Sequence, residues 1–395
     1  MTINKSGVMD ELEKAGDVEI LASPWHRVQI DSRATWSRCR TKDPLLYYKI
    51  MLSFFLGFVL WQHALLILAY PSPCTQSHCA RQVADIPSYV LEYAPVVWLD
   101  EAERYFPSDI AAQLENTHPD VNFSIITEAP SPLTLENLDA LNDFGDNGTN
   151  VYLTSTIDVT TNPTWLEGIV PDSTGKTNGA TSCIIITTDH GAGLVDAFYM
   201  YFYAYNQGNT VLGKELGDHI GDWEHNMVRF QDGVPKAIWY SQHSSGQAFT
   251  YSATEKVGIR PVSYSARGSH ANYATAGSHD HTLPDFHGPI GLLLDYTSQG
   301  TLWDPTLEAY FYTYDPATDS FASSGSVASP LGAILYKGRW GDEEYPQSDP
   351  RQGEPFFGFT KFVGGPTGPR DKRLNRKNVC PEDDNICLVH NIKLP

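Results

Sequence analysis

The chain has 395 residues and a formal net charge of −20. Residues 1–49 hold 8 Lys+Arg against 7 Asp+Glu, which leaves 19 against 40 for the rest. A body this acidic lacks the basic footprint of a nucleic-acid binder, so no nucleic-acid partner is expected; solubility in a lumen and capture of cations both fit it.

From the N-terminus, Ile50–Tyr70 is apolar except for Ser53, Gln62 and His63 and carries no charge. At about 1.5 Å per residue such a helix crosses a hydrocarbon core of about 30 Å. Arg33, Arg38, Arg40, Lys42 and Lys49 precede it, and only Arg81 and Arg104 occur between Ile50 and Gly175. The positive-inside rule then keeps the N-terminus cytosolic and sends the large C-terminal part to the lumen. The length of the run, and the polar stretch before it, favour a signal anchor over a cleaved signal peptide. The predicted organisation is a cytosolic tail over 1–49, a transmembrane signal anchor over 50–70 and a stalk over 71–85. A lumenal β-rich domain over 86–369 and a basic C-terminal tail over 370–395 follow.

On the side predicted to be translocated, Asn122-Phe-Ser and Asn147-Gly-Thr are glycosylation sequons; Asn4-Lys-Ser falls on the cytosolic side. Cys74 with Cys79, and Cys380 with Cys387, are close pairs that an oxidising compartment can close, although pairings such as Cys74–Cys380 stay open. Cys183 opens an apolar run and reads as a buried thiol.

Helical signals are few. Ser108–Leu114 starts on a capping residue, and Leu135, Leu138 and Leu141 share a face after Thr134. Strand signals dominate. Ala197–Tyr205 is an aromatic run suited to burial on both faces. Asn226–Phe230, Lys236–Ser241, Arg260–Ser265 and Gly291–Tyr296 are short runs between Gly, Pro and Asp, and Ala309–Tyr314 with Ser320–Ala322 reads as a hairpin. The expected fold is mainly β, a β-sandwich with peripheral helices, preceded by one transmembrane helix.

Gly217-Asp-His-Ile-Gly-Asp-Trp-Glu-His225 concentrates acids and imidazoles. On a strand beginning at Asp222, Asp222 and Glu224 share one face, while Trp223 and His225 take the other. His219 sits in the preceding turn, close enough to complete a half-site for a divalent cation, with Ca, Mg or Mn favoured over Zn. The plain alternative is a solvated turn with a salt-bridging glutamate. Metal binding would require a neutral His219 and so weaken toward an imidazole pKa of about 6.5. His190, His219, His225, His243, His270, His279, His281 and His287 crowd one region. Among them His270, after Gly268, is the best candidate to support a ligand from behind, with His225 and His243 next; His279 and His281 read as surface-loop residues. No Gly-x-Ser-x-Gly elbow supports a serine hydrolase. The run Arg370–Lys377 reads as an exposed tail segment, or as a contact for anionic headgroups.

Tyr93–Asp109, Gly217–His225, Trp239–His243, Ser265–Tyr273 and Gly365–Pro369 occur in the order in which similar motifs occur in the vacuolar protein sorting-associated protein 62 family. The resemblance spans roughly Ile86 to Cys387. It implies a role in protein delivery to the vacuole and a place in the endomembrane system or vacuole membrane, as in a fungal member of that family. A shorter stretch, Asp218–Glu224, is similar to the Gly-His-Arg-His-Asp-Trp-Glu signature of the necrosis- and ethylene-inducing-peptide-like cytolysins. That likeness implies a β-sandwich whose divalent cation lies near a surface for sphingolipid sugar headgroups. His219, Asp222 and Glu224 then fall at ligand positions, and Asn206 stands where the family has an Asp. Asp218 and Gly221 replace Gly and His of the signature. The expected function is a membrane-anchored lumenal sorting factor with a cation-assisted recognition domain for cargo protein, glycan or lipid headgroup. The alternatives are a metal-dependent hydrolase of the secretory pathway and a structural membrane protein without chemistry.

Overall fold

The computed structural model describes residues 86–280, 293–325, 328–356, 358–381 and 387–392. The anchor, the stalk, Cys74, Cys79, His281 and His287 lie outside these residues. Among the described residues no helix is long and apolar enough to cross a membrane.

The central sheet has eight strands: β1 Cys183–Asp189, β2 Leu194–Asn206, β3 His219–Gln231, β4 Val234–Gln242, β5 Ser245–Thr250, β6 Ala309–Asp315, β7 Ser320–Ser323 and β8 Val389–His390. Their order is β7-β6-β1-β2-β3-β4-β5-β8. The β6–β1 and β5–β8 pairs are parallel and the other neighbours antiparallel. A second sheet of five short strands is built around Val96–Leu99, which runs parallel to Arg260–Ser265. The body is therefore strand-rich with mixed sheets, and among the described residues no sheet closes into a barrel.

β2 shows why these residues make this sheet. Tyr199, Tyr201 and Tyr203 point to one face, where they pack with Val97, Leu99 and Trp303 of the second sheet. Phe198, Met200 and Phe202 point to the other, against Trp223, Met227, Leu138, Leu141 and Trp340. Alternating large side chains thus fill two cores from one strand. Short helices lie at the periphery. Asp109 caps Ile110–Glu115 by accepting the Ala112 N–H at 2.8 Å, one residue later than the sequence signal at Ser108. Leu135, Leu138 and Leu141 are all buried, but the helix there is a 3-10 turn, Leu138–Asp143, starting after Asn137 rather than Thr134. Asn122 and Asn147 are exposed in left-handed turns.

β3 begins at His219, three residues before the start expected from alternation, because β2 continues to pair with it as far as Asn206 opposite His219. Two contacts hold this entry. Gly221 adopts φ +65°, and a Cβ there would lie 2.0 Å from the Trp340 carbonyl oxygen. The histidine that the similar signature carries at this place has no room. Upstream, Asp218 donates its N–H to the Lys361 carbonyl at 2.7 Å, and its own carbonyl accepts the Val363 N–H at 2.9 Å. The Asp218 carboxyl is fully buried. One oxygen accepts the Gly208 N–H at 2.8 Å, and the Tyr205 hydroxyl lies beside the carboxyl. Burial, and then the charge of Glu215, push its pKa up to about 7.

The segment after Gly368 packs into the body. Arg376, 2 % exposed, donates to the His225 ring at 2.8 Å and to the carbonyls of Arg373, Lys372 and Val379, with Phe198 and Trp239 against its guanidinium. Cys380 and Cys387 form a disulfide, and Cys183 is a buried free thiol.

Two outcomes follow. Gly221→Ala should lose about 1–3 kcal/mol in urea unfolding, because both the backbone angle and the Trp340 carbonyl oppose a Cβ. Asp218 holds a proton in the folded state that the unfolded chain releases near the ordinary carboxyl pKa of about 3.9. Its contribution to stability is therefore whole below about pH 4 and lost as pH rises toward 7. Asp218→Asn should flatten that slope in unfolding curves taken across the same range.

Candidate functional site

A cleft of about 580 Å³ opens where β2 ends and β3 begins. Its charged and polar lining includes Asn206, His219, Asp222, Glu224, Glu344, His243 and Lys372. Leu216, Leu293, Phe359 and Val363 supply apolar wall. Asp222 and Glu224 are both buried, at 5 % and 6 % exposure.

Of Asp222 and Glu224, Asp222 is the better anchored. It takes a hydrogen bond from His270 Nδ1 at 2.9 Å, and His270 Nε2 faces the Tyr105 carbonyl at 3.0 Å. Both ring nitrogens thus face acceptors, which calls for the doubly protonated ring. Burial works against that charge. The Asp222 hydrogen bond and the Glu103 carboxylate 3.9 Å away outweigh it and raise the pKa. The ring also stacks flat on Tyr203, centroids 3.7 Å apart. The Gly268 carbonyl accepts the Gln207 N–H at 2.9 Å, and a Cβ on Gly268 would crowd that neighbour at 2.9 Å, so glycine permits the close turn that delivers His270.

Glu224 stands differently. Burial, then the neighbouring Asp222, drive its pKa well above the ordinary glutamate value, while Lys372 and a hydrogen bond from Ser241 oppose the rise. Its Oε2 has no hydrogen-bond partner among the described residues. A buried carboxylate oxygen in that condition calls for a proton, a cation or a ligand donor. His219 donates Nδ1–H to the Gly221 carbonyl at 2.7 Å, leaving Nε2 as the ring's acceptor. Burial lowers its pKa, so it stays neutral further into acid than an exposed histidine. Asn206 spends its amide N–H on the Gly217 carbonyl at 2.9 Å.

The remaining histidines divide. His243 lines the cleft but pairs with Asp295 at 2.8 Å. Ser269 and Tyr273 donate to the same Asp295 carboxylate, both at 2.8 Å. The serine hydroxyl is thus committed to the acid rather than to the imidazole, which is the wrong connectivity for nucleophilic activation. His225 lies on the opposite side of β3 and lines a smaller cavity of about 160 Å³. His279 stacks on Tyr273, and His190 pairs with Asp196. The structure therefore brings His219, Asp222, Glu224, Asn206 and His243 to one cleft, sets His270 behind Asp222 and turns His225 into the smaller cavity that adjoins the cleft at His243 and Lys372. Among the described residues no three His, Cys, Asp or Glu side chains converge closely enough to enclose an ion. No sequence motif marks Lys372, which lines the cleft, or Asp295, which holds His243 and Ser269 of its lining; only the fold brings them there.

Residues 72–283 match the family described as vacuolar protein sorting-associated protein 62. The chain is 39% identical over 325 residues to TDA6 of Saccharomyces cerevisiae, a protein named for vacuolar protein sorting; the match covers 75% of this chain and 68% of the relative. It is 33% identical over 344 residues to vacuolar protein sorting-associated protein 62 of the same yeast, covering 79% of this chain and 71% of the relative. Among solved structures, a toxin fold for microbial attack and plant defense aligns at 11% identity and a TM-score of 0.26, over 64% of this chain and 83% of that one. The non-toxic HaNLP3 protein aligns at 10% identity and a TM-score of 0.27, over 64% and 82%. Superpositions this shallow carry no argument. The sequence matches do: this chain belongs to the vacuolar protein sorting-associated protein 62 family.

Proposed function

We propose that the chain is a membrane-anchored lumenal factor in protein sorting to the vacuole, and that its cleft is a cation-assisted recognition site for a glycan, lipid headgroup or cargo group. Its β-rich body would be a sandwich, with the second sheet laid over the Tyr199–Tyr203 face of the central one. The family relation supports the sorting role. The Cys380–Cys387 disulfide and the exposed Asn122 and Asn147 sequons support an oxidising lumen. The anchor over 50–70 rests on the hydropathy and charge of the sequence.

The observation that carries the cleft reading is the Oε2 of Glu224, without a partner among the described residues, beside a second buried acid. Carboxylate oxygens with one neutral imidazole suit a hard divalent cation. Glu224, Asp222 and His219 would hold it, with Asn206 at the margin. Because these groups do not enclose an ion by themselves, oxygens of the ligand or of water would complete the shell. The cation would supply charge to bind anionic or hydroxyl oxygens. The protein's own part is to orient Asp222 through His270 and to keep His219 neutral.

Calorimetric titration of the full-length protein with calcium, magnesium, manganese and zinc tests this. At least one should bind, and Glu224→Gln should weaken it by about tenfold or more. Affinity should fall between about pH 7.5 and about pH 5.5, because the ion must displace the proton that burial favours on Glu224; His219, whose pKa burial lowers, should contribute less. No binding by any of the four ions would remove the cation from the account, and equal affinity at both pH values would remove Glu224 from the ligand set. A glycan and headgroup array would then identify the recognised group.

A further inference from the structure

The cleft does not end at its acidic floor. It shares His243 and Lys372 with the smaller cavity of about 160 Å³, and the two differ in charge. On the cleft side are Asp222, Glu224 and Glu344. On the other are Lys372, Arg373 and Arg376, with Ser244 and Ser245 and one acid, Asp371.

Each half carries a buried polar atom without a partner among the described residues, and the two atoms are of opposite kind. In the acidic half it is the acceptor Glu224 Oε2. In the basic half it is His225 Nδ1, on a residue only 4 % exposed. Its Nε2 receives the Arg376 guanidinium at 2.8 Å, so the ring proton must sit on Nδ1. That leaves an N–H donor waiting for an acceptor. Lys372 stands between the halves. The 3-10 turn Pro369–Asp371 delivers it, its N–H bonds the Pro369 carbonyl at 3.1 Å, and its carbonyl accepts from Arg376 at 3.1 Å. The backbone is therefore held, and the half-buried Lys372 lines both cavities.

We propose that this bipartite cleft binds a phosphorylated sugar, with Lys372 as the residue that takes the phosphate and His225 Nδ1–H as a supporting donor. The sugar hydroxyls lie in the acidic half, where Glu224, His219 and the Phe359 wall meet a polyol. A phosphate matches the basic half, because a Lys ammonium, a neutral N–H and serine hydroxyls are all donors to its oxygens. The phosphate could belong to a glycan or to an inositol lipid, since the shared chemistry is a polyol carrying a phosphate. The inference rests on the recognition reading of the cleft but needs no bound cation.

The test is calorimetric titration of full-length protein with glucose 6-phosphate, glucose and inorganic phosphate, beside flotation with vesicles that contain or lack phosphatidylinositol phosphate. Expected is binding of glucose 6-phosphate, or of the phosphoinositide vesicles, well above glucose and inorganic phosphate. Lys372→Gln should weaken it by about tenfold, and Lys372→Arg should keep most of it. Glucose 6-phosphate alone would point to a glycan source, and vesicles alone to a lipid source. Lys372→Gln should melt with the wild type and should still bind manganese, more tightly if anything because a positive charge beside Glu224 is removed, which separates loss of the phosphate site from loss of the cation or the fold. A failed metal titration with intact, Lys372-dependent phosphate binding would sink the cation and leave this proposal standing. Absence of binding to every phosphate probe, or binding indifferent to Lys372, overturns it.

Discussion

The buried pair of Asp222 and His270 sets the terms for the site. It joins the central sheet to the loop that follows Arg260–Ser265, and it does so with charges where water is excluded. Such a pair is expensive unless every remaining lone pair and proton is used. Here the Tyr105 carbonyl takes the second ring proton, Glu103 lies close by, and Tyr203 covers the ring. The result fixes one carboxylate firmly and leaves its neighbour Glu224 incompletely satisfied. The cleft therefore holds one locked acid and one open one.

The legible part of the sequence was what depends on short-range pattern. The aromatic run at Ala197–Tyr205 announced a strand with two buried faces, and β2 has them. The hairpin at Ala309–Asp315 and Ser320–Ser323 followed from its turn residues. The close pair Cys380 and Cys387 joined as their spacing suggested. The illegible part depended on contacts distant in sequence. That β3 starts at His219 is decided by pairing with Asn206 and by the Trp340 carbonyl against Gly221. No local periodicity contains that information. In the same way His225, only one residue from Glu224, serves the opposite side of the sheet, and Asp295 gathers His243, Ser269 and Tyr273 without any motif around it.

The basic segment after Gly368 teaches a related lesson. From composition, Arg370–Lys377 resembles a solvated tail. One of its cations, Arg376, instead lies at 2 % exposure, with its pKa lowered to about 9 by burial. It is tolerated there because its donors meet carbonyls and an imidazole and its plane meets Phe198 and Trp239. A lysine could not present the same planar fork. Charge count alone therefore does not separate a surface tail from a buried clasp.

The two-residue strand β8 has an effect out of proportion to its size. By lying parallel beside β5, it occupies the outer rim of the eight-stranded sheet. A bare rim exposes unpaired amide and carbonyl groups that invite a strand from another molecule. Val389 and His390 cover part of the β5 edge in cis, opposite Ala248 and Phe249, and the Cys380–Cys387 disulfide lies just before them in sequence.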